Sequence, residues 1–247
     1  FSKPAVIIAN HTSFLDILAV GMLHPKICFL VNDWVYNSPV FGKAVQKADF
    51  YPVSSGIENS LEPLQKKIKQ GYSLMAFPEG TRSSSNKIKR FHKGAFYLAN
   101  EFNLDILPVL IHGNSEVNPK GSFIIKDGSI TVEILPRIKA EDISFGKNHT
   151  QQAKKIGAYF KNEFAKLRKT IEGPKYFHQI VLEEYRYKGD VSYRNVKKDL
   201  KDNAEIYFEI INQVGKNGNI VHISEDFGQL DFLLALDGPD RKIFSFI

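Results

Sequence analysis

Short apolar segments alternate along the chain with amphipathic stretches, and this alternation limits the folds that the chain can adopt. Continuous apolar runs such as Ala5–Ala9 are typical of buried parallel strands. Between them, apolar residues recur three and four positions apart, as in Ile57, Leu61, Leu64 and Ile68, a spacing that predicts a helix. Strands that alternate with helices predict an α/β domain with a mixed, largely parallel sheet flanked by helices. The predicted strands are 5–9, 27–31, 49–53, 73–77, 105–111 and 130–135, and the predicted helices are 13–23, 39–48, 56–71, 91–103 and 151–171.

The distribution of charge divides the chain into two regions. Residues 1–172 carry 23 Lys and Arg against 15 Asp and Glu, a formal charge of +8, whereas residues 173–247 carry 10 against 12. Gly173-Pro174 marks the break and favours the end of a helix. We therefore predict one domain over 1–172 and a second region over 173–247. The basic domain suits a phospholipid surface, a phosphorylated substrate or nucleic acid, although a solvated basic face without a specific partner also explains the charge.

Cysteine content and hydropathy indicate the redox compartment of the chain and whether it contains a membrane-spanning segment. A single cysteine, Cys28, excludes an intramolecular disulfide and fits a reducing compartment. The longest apolar stretches are far shorter than the ~18 residues that span a bilayer. The sequence begins at Phe1 in the lead-in to a strand, so we expect it to be part of a longer, multidomain polypeptide that could carry a membrane anchor elsewhere.

The segment "NHTSFLD" places His11 and Asp16 five residues apart, where a predicted strand passes into a predicted helix. A carboxylate that accepts a hydrogen bond from one imidazole nitrogen leaves the other able to take a proton from a hydroxyl. Neither a G-x-S-x-G elbow nor an accessible cysteine supplies a nucleophile, since Cys28 lies in a predicted strand, so the substrate's own hydroxyl would have to attack. Alternatively, Ser13 and Asp16 form a helix capping box and His11 bonds to local backbone.

The segment "FPEGTR" follows the predicted strand 73–77 and would lie at the same edge of the sheet. Gly80 permits close approach by a ligand, and the guanidinium of Arg82 suits a phosphate or a carboxylate. Further positive charge follows, at Lys87, Lys89, Arg90 and Lys93. The alternative is a solvated polar turn in which Glu79 and Arg82 form a surface pair of little energetic value.

Together, His-x4-Asp, "FPEGTR" and "ILPVLIHGN" (106–114) resemble the glycerolipid acyltransferase family, over roughly residues 4–170. The resemblance implies a transferase of phospholipid biosynthesis, with His11 as general base and Asp16 orienting it. The acceptor's alkoxide would attack the thioester of acyl-CoA or acyl carrier protein. Acceptor-site residues would be Glu79, Gly80, Thr81 and Arg82. The resemblance implies no cofactor and no metal, a lipid acceptor, and an anionic membrane surface as partner.

The sequence departs from this family at two cationic positions. Ser54 or Ser55 stands where family members carry an arginine that helps bind the acceptor phosphate, and "VNDW" (31–34) replaces a segment with a lysine. We therefore predict that activity survives on a hydroxyl acceptor without a phosphate. Family members act at the cytoplasmic face of a membrane, so we expect peripheral attachment to the inner membrane, or tethering by regions outside this chain.

The second region resembles the opening of a class I methyltransferase domain. Residues 218–247 predict the order strand, loop, helix, turn, strand, preceded by helical stretches at 175–186 and 195–214. Gly228 alone matches the glycines of a loop that binds S-adenosylmethionine, and Ser224, Asp226 and His222 stand at other key positions. The prediction is an incomplete methyltransferase-like segment within a mostly helical appendage.

Two further functions compete with the O-acyltransferase. A catalytically weak module could bind acyl chains or a membrane surface within a larger polypeptide, but such a module does not need the His11–Asp16 pair. Nucleic-acid binding is supported by charge alone, because the sequence contains no recognised binding motif and no interleaved aromatic platform. We therefore expect no nucleic-acid partner.

Overall fold

A computed structural model describes residues 3–39, 42–48, 50–53, 61–83, 87–122 and 124–246. Contacts between residues divide the chain into a first unit, residues 1–164, and a second unit, residues 165–247. The division falls inside a helix that spans His149–Ile171, and the predicted boundary after residue 172 falls at the end of that helix. The two units are described separately below.

The first unit is built on a six-stranded sheet with the strand order β3-β2-β4-β1-β5-β6. The strands are β1 (Val6–Ala9), β2 (Ile27–Val31), β3 (Tyr51–Pro52), β4 (Ser73–Ala76), β5 (Ile106–His112) and β6 (Thr131–Ile134). All neighbours run parallel except β6, which is antiparallel to β5. At the centre, Ile7 of β1 lies opposite Met75 of β4 on one side and Leu107 of β5 on the other. The predicted fold class, a mixed and largely parallel sheet flanked by helices, is confirmed.

The five predicted helices of the first unit are present with different ends, and two short helices that were not predicted accompany them. The helices are α1 (Leu15–Gly21), α2 (Asp33–Tyr36), α3 (Gly42–Lys47), α4 (Leu61–Lys69), α5 (Gly94–Glu101), α6 (Asn114–Val117) and α7 (His149–Ile171). The two that were not predicted are α2 and α6. The prediction that α5 begins at Phe91 is wrong, because the backbone N–H of His92 donates to the carbonyl of Pro78 at 2.7 Å and holds this segment outside the helix. Ile57, predicted on the apolar face of α4, lies outside the described residues.

The core of the first unit lies around the central strands. Every residue of β1 and of β5 is buried, as their continuous apolar sequences predict for central parallel strands. A second apolar layer joins α5 to α7, where the ring of Phe91 contacts Phe160 edge-on at 5.1 Å between centroids and stacks near Phe96. The parallel pairing of β1 with β4 and with β5 places the carboxyl ends of these three strands side by side.

The second unit is mostly helical, as predicted. Its elements are α8 (His178–Tyr185), α9 (Asp190–Asp202), α10 (Ala204–Gln213), β7 (Asn217–Ile223), α11 (Gln229–Asp237) and β8 (Asp240–Phe246). The predicted order strand, loop, helix, turn, strand is confirmed, and β7 pairs with β8 in parallel. The prediction of one helix over 195–214 is wrong, because Asn203 leaves the helical conformation (φ −108°, ψ 16°) and separates α9 from α10. The resemblance to a methyltransferase stays a prediction.

Candidate active site

Three neighbouring strands end at the same edge of the sheet and carry polar residues just beyond their ends. His11 follows β1, Glu79 follows β4 and Asn114 follows β5. Since β1 lies between β4 and β5 and is parallel to both, the three loops meet. Ligands of open α/β sheets bind at such carboxyl edges, so this edge is the candidate active site.

His11 and Asp16 meet across the turn between β1 and α1. The Nδ1 of His11 lies 2.8 Å from the Oδ2 of Asp16, and the carboxylate has no exposed surface. Three other groups also donate to this carboxylate: the backbone N–H of Thr12 at 2.6 Å, the backbone N–H of Ser13 at 2.8 Å, and the side-chain amide of Asn114 at 2.6 Å. Asp16 is therefore fixed from both sides of the site.

The alternative interpretation, a capping box of Ser13 and Asp16, forms only in part, because α1 is capped at Phe14 without a side-chain hydrogen bond and the N–H of Asp16 bonds to the backbone carbonyl of Ser13. The Oγ of Ser13 accepts a long hydrogen bond from the N–H of Leu15 at 3.3 Å, and the carboxylate of Asp16 reaches back to the N–H of Ser13. The first bond satisfies one donor in the first turn of α1, and the second satisfies a donor just before that helix. The capping contacts hold Asp16 in the position from which it contacts His11.

The hydrogen-bond partners of Asp16 determine the tautomer of His11. Because the Oδ2 atom already accepts from two backbone N–H groups, the Nδ1 of His11 is the donor in the shared hydrogen bond. The Nε2 of a neutral imidazole then carries the lone pair that can accept a proton. The ring of Phe77 stacks on the imidazole at 4.0 Å between centroids, with 15° between planes, and holds its orientation. His11 is thus arranged as a proton acceptor.

Glu79 joins the "FPEGTR" loop to the turn that carries His11. Its Oε1 accepts from the backbone N–H of His11 and its Oε2 from that of Lys89, both at 2.8 Å. The N–H of Ser83 in turn donates to the carbonyl of His11 at 2.7 Å. Burial raises the pKa of the Glu79 carboxyl, and the hydrogen bonds from Lys89 and His11 offset part of that rise. Both oxygens of Glu79 thus hold the two loops together, and the alternative of a Glu79–Arg82 surface pair is wrong.

The other predicted residues of this loop lie at the surface beside Lys89. Gly80 adopts a left-handed conformation (φ +71°), and a Cβ there would come within 3.2 Å of the His92 ring. Thr81 is exposed, and its Oγ1 accepts from the Nζ of Lys89 at 3.3 Å. Arg82 is half-buried, and its carbonyl accepts from Lys89 and Lys120 at 3.0 and 3.1 Å. The loop therefore concentrates positive charge next to the turn of His11.

Three residues at this edge were missed by the sequence analysis: Phe77, Asn114 and Lys120. The segment "ILPVLIHGN" contained Asn114, but its contact with Asp16 joins positions 98 residues apart. Within the described residues, no three His, Cys, Asp or Glu side chains are grouped as a metal ion would require.

Gly113 sets the direction of the chain into Asn114, and its replacement is expected to disturb the site. Its φ is +92°, and a Cβ there would lie 2.0 Å from the carbonyl oxygen of Ser129. We expect Gly113→Ala to lower the free energy of unfolding by roughly 3 kcal/mol, as measured by urea denaturation, because both backbone strain and a clash must be relieved.

Gly121→Ala is the matched control for Gly113→Ala. Gly121 has a similar φ of +89°, but a Cβ there would meet no atom of the described residues within 4 Å. We expect a loss of about 1 kcal/mol from backbone strain alone. Equal losses in the two variants would show that the contact with Ser129 does not matter.

Comparisons with known proteins agree with the resemblance in the first region. Residues 2–112 match the model of the Acyltransferase family. The chloroplastic 1-acyl-sn-glycerol-3-phosphate acyltransferase LPAT1 of Arabidopsis thaliana is 32% identical over 136 residues, which are 53% of this chain and 38% of that protein. The 1-acyl-sn-glycerol-3-phosphate acyltransferase of Saccharomyces cerevisiae is 32% identical over 154 residues, 59% of this chain and 50% of that protein. The chain thus spans half or less of the length of these two relatives.

The fold is similar to that of a solved acyltransferase. The crystal structure of the 1-acyl-sn-glycerophosphate (LPA) acyltransferase PlsC from Thermotoga maritima matches 68% of this chain and 68% of its own, with a TM-score of 0.58 and 22% sequence identity. At 22% sequence identity this match shows similarity of fold alone. The chain is therefore similar to the glycerolipid acyltransferases in fold and in the sequence of residues 2–112. That range includes His11, Asp16 and the "FPEGTR" loop.

Proposed function

We propose that the chain transfers a fatty acyl group from a thioester to a hydroxyl of a lysophospholipid-like acceptor. The observation that carries this proposal is the contact between His11 and a fully buried Asp16 that three further donors hold in place. Such a pair is suited to general base catalysis and, without a nucleophile of the protein, to activation of the substrate's hydroxyl.

The proposed reaction moves one proton through His11. The Nε2 of His11 takes the proton of the acceptor hydroxyl as its oxygen attacks the thioester carbonyl. The tetrahedral intermediate collapses, the carbon–sulfur bond breaks, and the thiolate receives the proton from the imidazolium. Asp16 stabilises the imidazolium between these two transfers. The products are an ester and a thiol, and the step needs no cofactor or metal.

The donor and the acceptor are proposed by class. Either acyl-CoA or acyl carrier protein could supply the thioester. The relatives from Arabidopsis thaliana and from Saccharomyces cerevisiae both carry the name 1-acyl-sn-glycerol-3-phosphate acyltransferase, which supports a lysophosphatidate acceptor. Arg82, Lys89 and Lys120 lie together beside the His11 turn and could contact its phosphate. Ser54 and Ser55 lie outside the described residues, so the predicted use of a phosphate-free acceptor stays a prediction.

Turnover with an acceptor panel tests both the activity and the role of Arg82. Thiol release from acyl-CoA and acyl carrier protein would be followed with lysophosphatidate and with monoacylglycerol. We expect release with both acceptors, and about a tenfold rise in KM for lysophosphatidate in Arg82→Ala, because the variant loses a charged contact with phosphate. The KM for monoacylglycerol should not change. A strict requirement for the phosphate would contradict the predicted tolerance of neutral acceptors.

We further propose that the edge with His11 faces an anionic membrane. Exposed apolar residues at this edge include Phe14, beside the His11 turn, Trp34, just after β2, and Ile124 and Ile125. The carbonyl of Ile124 accepts from Asn118, which also contacts Ser13, so this segment lies next to α1. Apolar side chains close to a cationic loop are typical of surfaces that bind anionic bilayers.

This orientation is consistent with peripheral attachment at the cytoplasmic face of the inner membrane, or with a tether outside this chain. Among the helices described, none combines the length and the apolarity that crossing a bilayer demands.

Vesicle binding tests this orientation. We expect Trp34→Ser with Ile125→Ser to weaken binding to vesicles of anionic phospholipid by about tenfold or more, because two apolar side chains no longer insert. Met22→Ser is the control, since Met22 is 87% exposed but follows α1, at the opposite edge of the sheet. Equal binding by all three proteins would contradict the orientation.

A further inference from the structure

Asn10 joins the turn of His11 to β5 through its side chain. Its Nδ2 donates to the carbonyl of Ile111, and its Oδ1 accepts from the N–H of the same residue, both at 2.8 Å. Asn10 is 1% exposed, so it offers no surface to a substrate. One buried side chain thus holds both backbone groups of a residue that lies 101 positions away.

The two bonds replace a continuation of the ladder between β1 and β5. The pairing of these strands ends with Ala9 opposite Val109, so a longer β1 would bring residue 11 opposite Ile111. The chain leaves the ladder before that point. The amide of Asn10 supplies the donor and the acceptor that further backbone of β1 would otherwise supply. Without it, the buried N–H and carbonyl of Ile111 would lose these partners at a cost in free energy.

The backbone of His11 turns toward the other side of β1. Its N–H donates to the Oε1 of Glu79 at 2.8 Å, and its carbonyl accepts from the N–H of Ser83 at 2.7 Å. Both partners belong to the loop after β4, whereas Asn10 bonds to β5. Consecutive residues therefore tie this turn to the strands on either side of β1.

His11 consequently lies between two attachments of its turn to the chain of β5. The first is the bond pair between Asn10 and Ile111. The second joins the carboxylate of Asp16 to the amide of Asn114 at 2.6 Å, three residues further along that chain. The Nδ1 of His11 has to meet the same carboxylate, and hydrogen bonds weaken steeply as their angles depart from the preferred range. The height of the turn above β5 therefore decides how well the imidazole and the carboxylate align.

We propose that Asn10 is a positioning residue for His11, and that it acts by setting the height of the turn against β5. The inference rests on the proposed acyl transfer and adds to it a residue that contacts no substrate. A side chain that only satisfies Ile111 would affect the stability of the fold. A positioning side chain also determines the rate of proton transfer, since misplacement of a reacting group by about 1 Å can cost on the order of a hundredfold in rate.

Asn10→Gln separates these two roles. The variant keeps the amide but is one methylene longer, so the turn has to shift if both bonds to Ile111 are to form. We expect the kcat of acceptor-dependent thiol release to fall about tenfold to a hundredfold. The KM for the acceptor should stay within about twofold, because the altered residue is buried. Asn10→Ala, which loses both bonds, should lose at least as much of its kcat. A kcat equal to that of the unchanged protein in either variant would overturn the proposal.

Ser73→Ala is the matched control. The Oγ of Ser73 accepts from the N–H of Ala5 at 3.2 Å, so it is also a buried side chain that satisfies the backbone of a neighbouring segment. It lies at the first residue of β4, at the opposite edge of the sheet from His11. We expect a lower midpoint of urea denaturation and an unchanged kcat. A fall in kcat equal to that of Asn10→Gln would overturn the proposal, because any lost interior hydrogen bond would then slow the reaction.

Proton NMR of the imidazole tests the position of His11 without turnover. The Nδ1 proton that bonds to Asp16 is expected to exchange slowly with water, and its resonance is identified by its absence in His11→Ala. We expect its exchange to quicken at least about tenfold in Asn10→Gln and to stay within about twofold in Ser73→Ala. If the unchanged protein turns over no acceptor while exchange responds in this way, the proposed function fails and the positioning of His11 by Asn10 stands. Equal exchange in Asn10→Gln and the unchanged protein would refute that positioning.

Discussion

Replacing His11 by Ala is expected to reduce acyl transfer about a thousandfold, because the acceptor hydroxyl would lose its general base. The imidazole is placed for this role by two contacts, with Asp16 at 2.8 Å and with the ring of Phe77 at 4.0 Å between centroids. The measurement is acceptor-dependent thiol release from acyl-CoA and from acyl carrier protein.

His24→Ala is the control for this variant, since His24 lies beyond the far end of α1, between that helix and β2. It should keep full activity. His11→Ala should also keep its stability in urea denaturation, because the side chain makes one side-chain hydrogen bond and packs on one ring. Acyl transfer that persisted in His11→Ala would remove the case for a general base here and favour the alternative, a module that binds acyl chains or membrane.

The parts of this site that follow from local sequence could be predicted. Continuous apolar runs identify β1, β4 and β5, and parallel strands share a carboxyl edge, so the loops after them were expected to face one cleft. Asp16 follows His11 by five residues in one turn. Its contact with His11 and its contact with the N–H of Ser13 were expected as alternatives, and in the structure the two coexist, although the capping box is only half formed.

The parts that depend on distant contacts could not be predicted. Asn114 reaches Asp16 across 98 residues, and no local pattern encodes the meeting of β1 and β5 in this register. Glu79 was expected in the acceptor site or, alternatively, in a surface pair with Arg82, but the meeting of the loops buries it and both of its oxygens accept from backbone N–H groups. The late start of α5 has the same origin, since His92 bonds to Pro78.

Replacing Asp16 by Ala is expected to destabilise the first unit strongly. The substitution would leave four donors without their acceptor: His11 Nδ1, Thr12 N, Ser13 N and Asn114 Nδ2. Because Asp16 is fully buried, water cannot readily enter to accept the hydrogen bonds that the carboxylate accepts. We expect a loss of about 3–5 kcal/mol in the free energy of unfolding, measured by urea denaturation.

Asp105→Ala provides the stability control. Asp105 also accepts several hydrogen bonds, from Arg137, Lys139 and the backbone of Ala140, but its side chain keeps 16% of its surface exposed and lies at the other edge of the sheet, just before β5. A loss of about 1 kcal/mol is expected, since water can solvate the donors left behind. Equal losses in Asp16→Ala and Asp105→Ala would mean that the buried carboxylate contributes little to stability.

Asp16→Asn separates the structural role of this residue from its role in the reaction. The carbonyl of the new amide can accept from His11, Thr12 and Ser13, while its NH₂ group faces Asn114. In the described part of the chain the Oδ1 of Asn114 is buried without a hydrogen-bond partner, so rotation of that amide could accept the new donor. We therefore expect the variant to lose about 1 kcal/mol of stability.

Acyl transfer by Asp16→Asn should nevertheless fall by roughly a hundredfold to ten-thousandfold, because a neutral amide does not stabilise the imidazolium that forms on His11. Thiol release at the level of the unchanged protein would show that Asp16 acts as a cap alone, and parallel losses of stability and activity would assign its effect on turnover to folding.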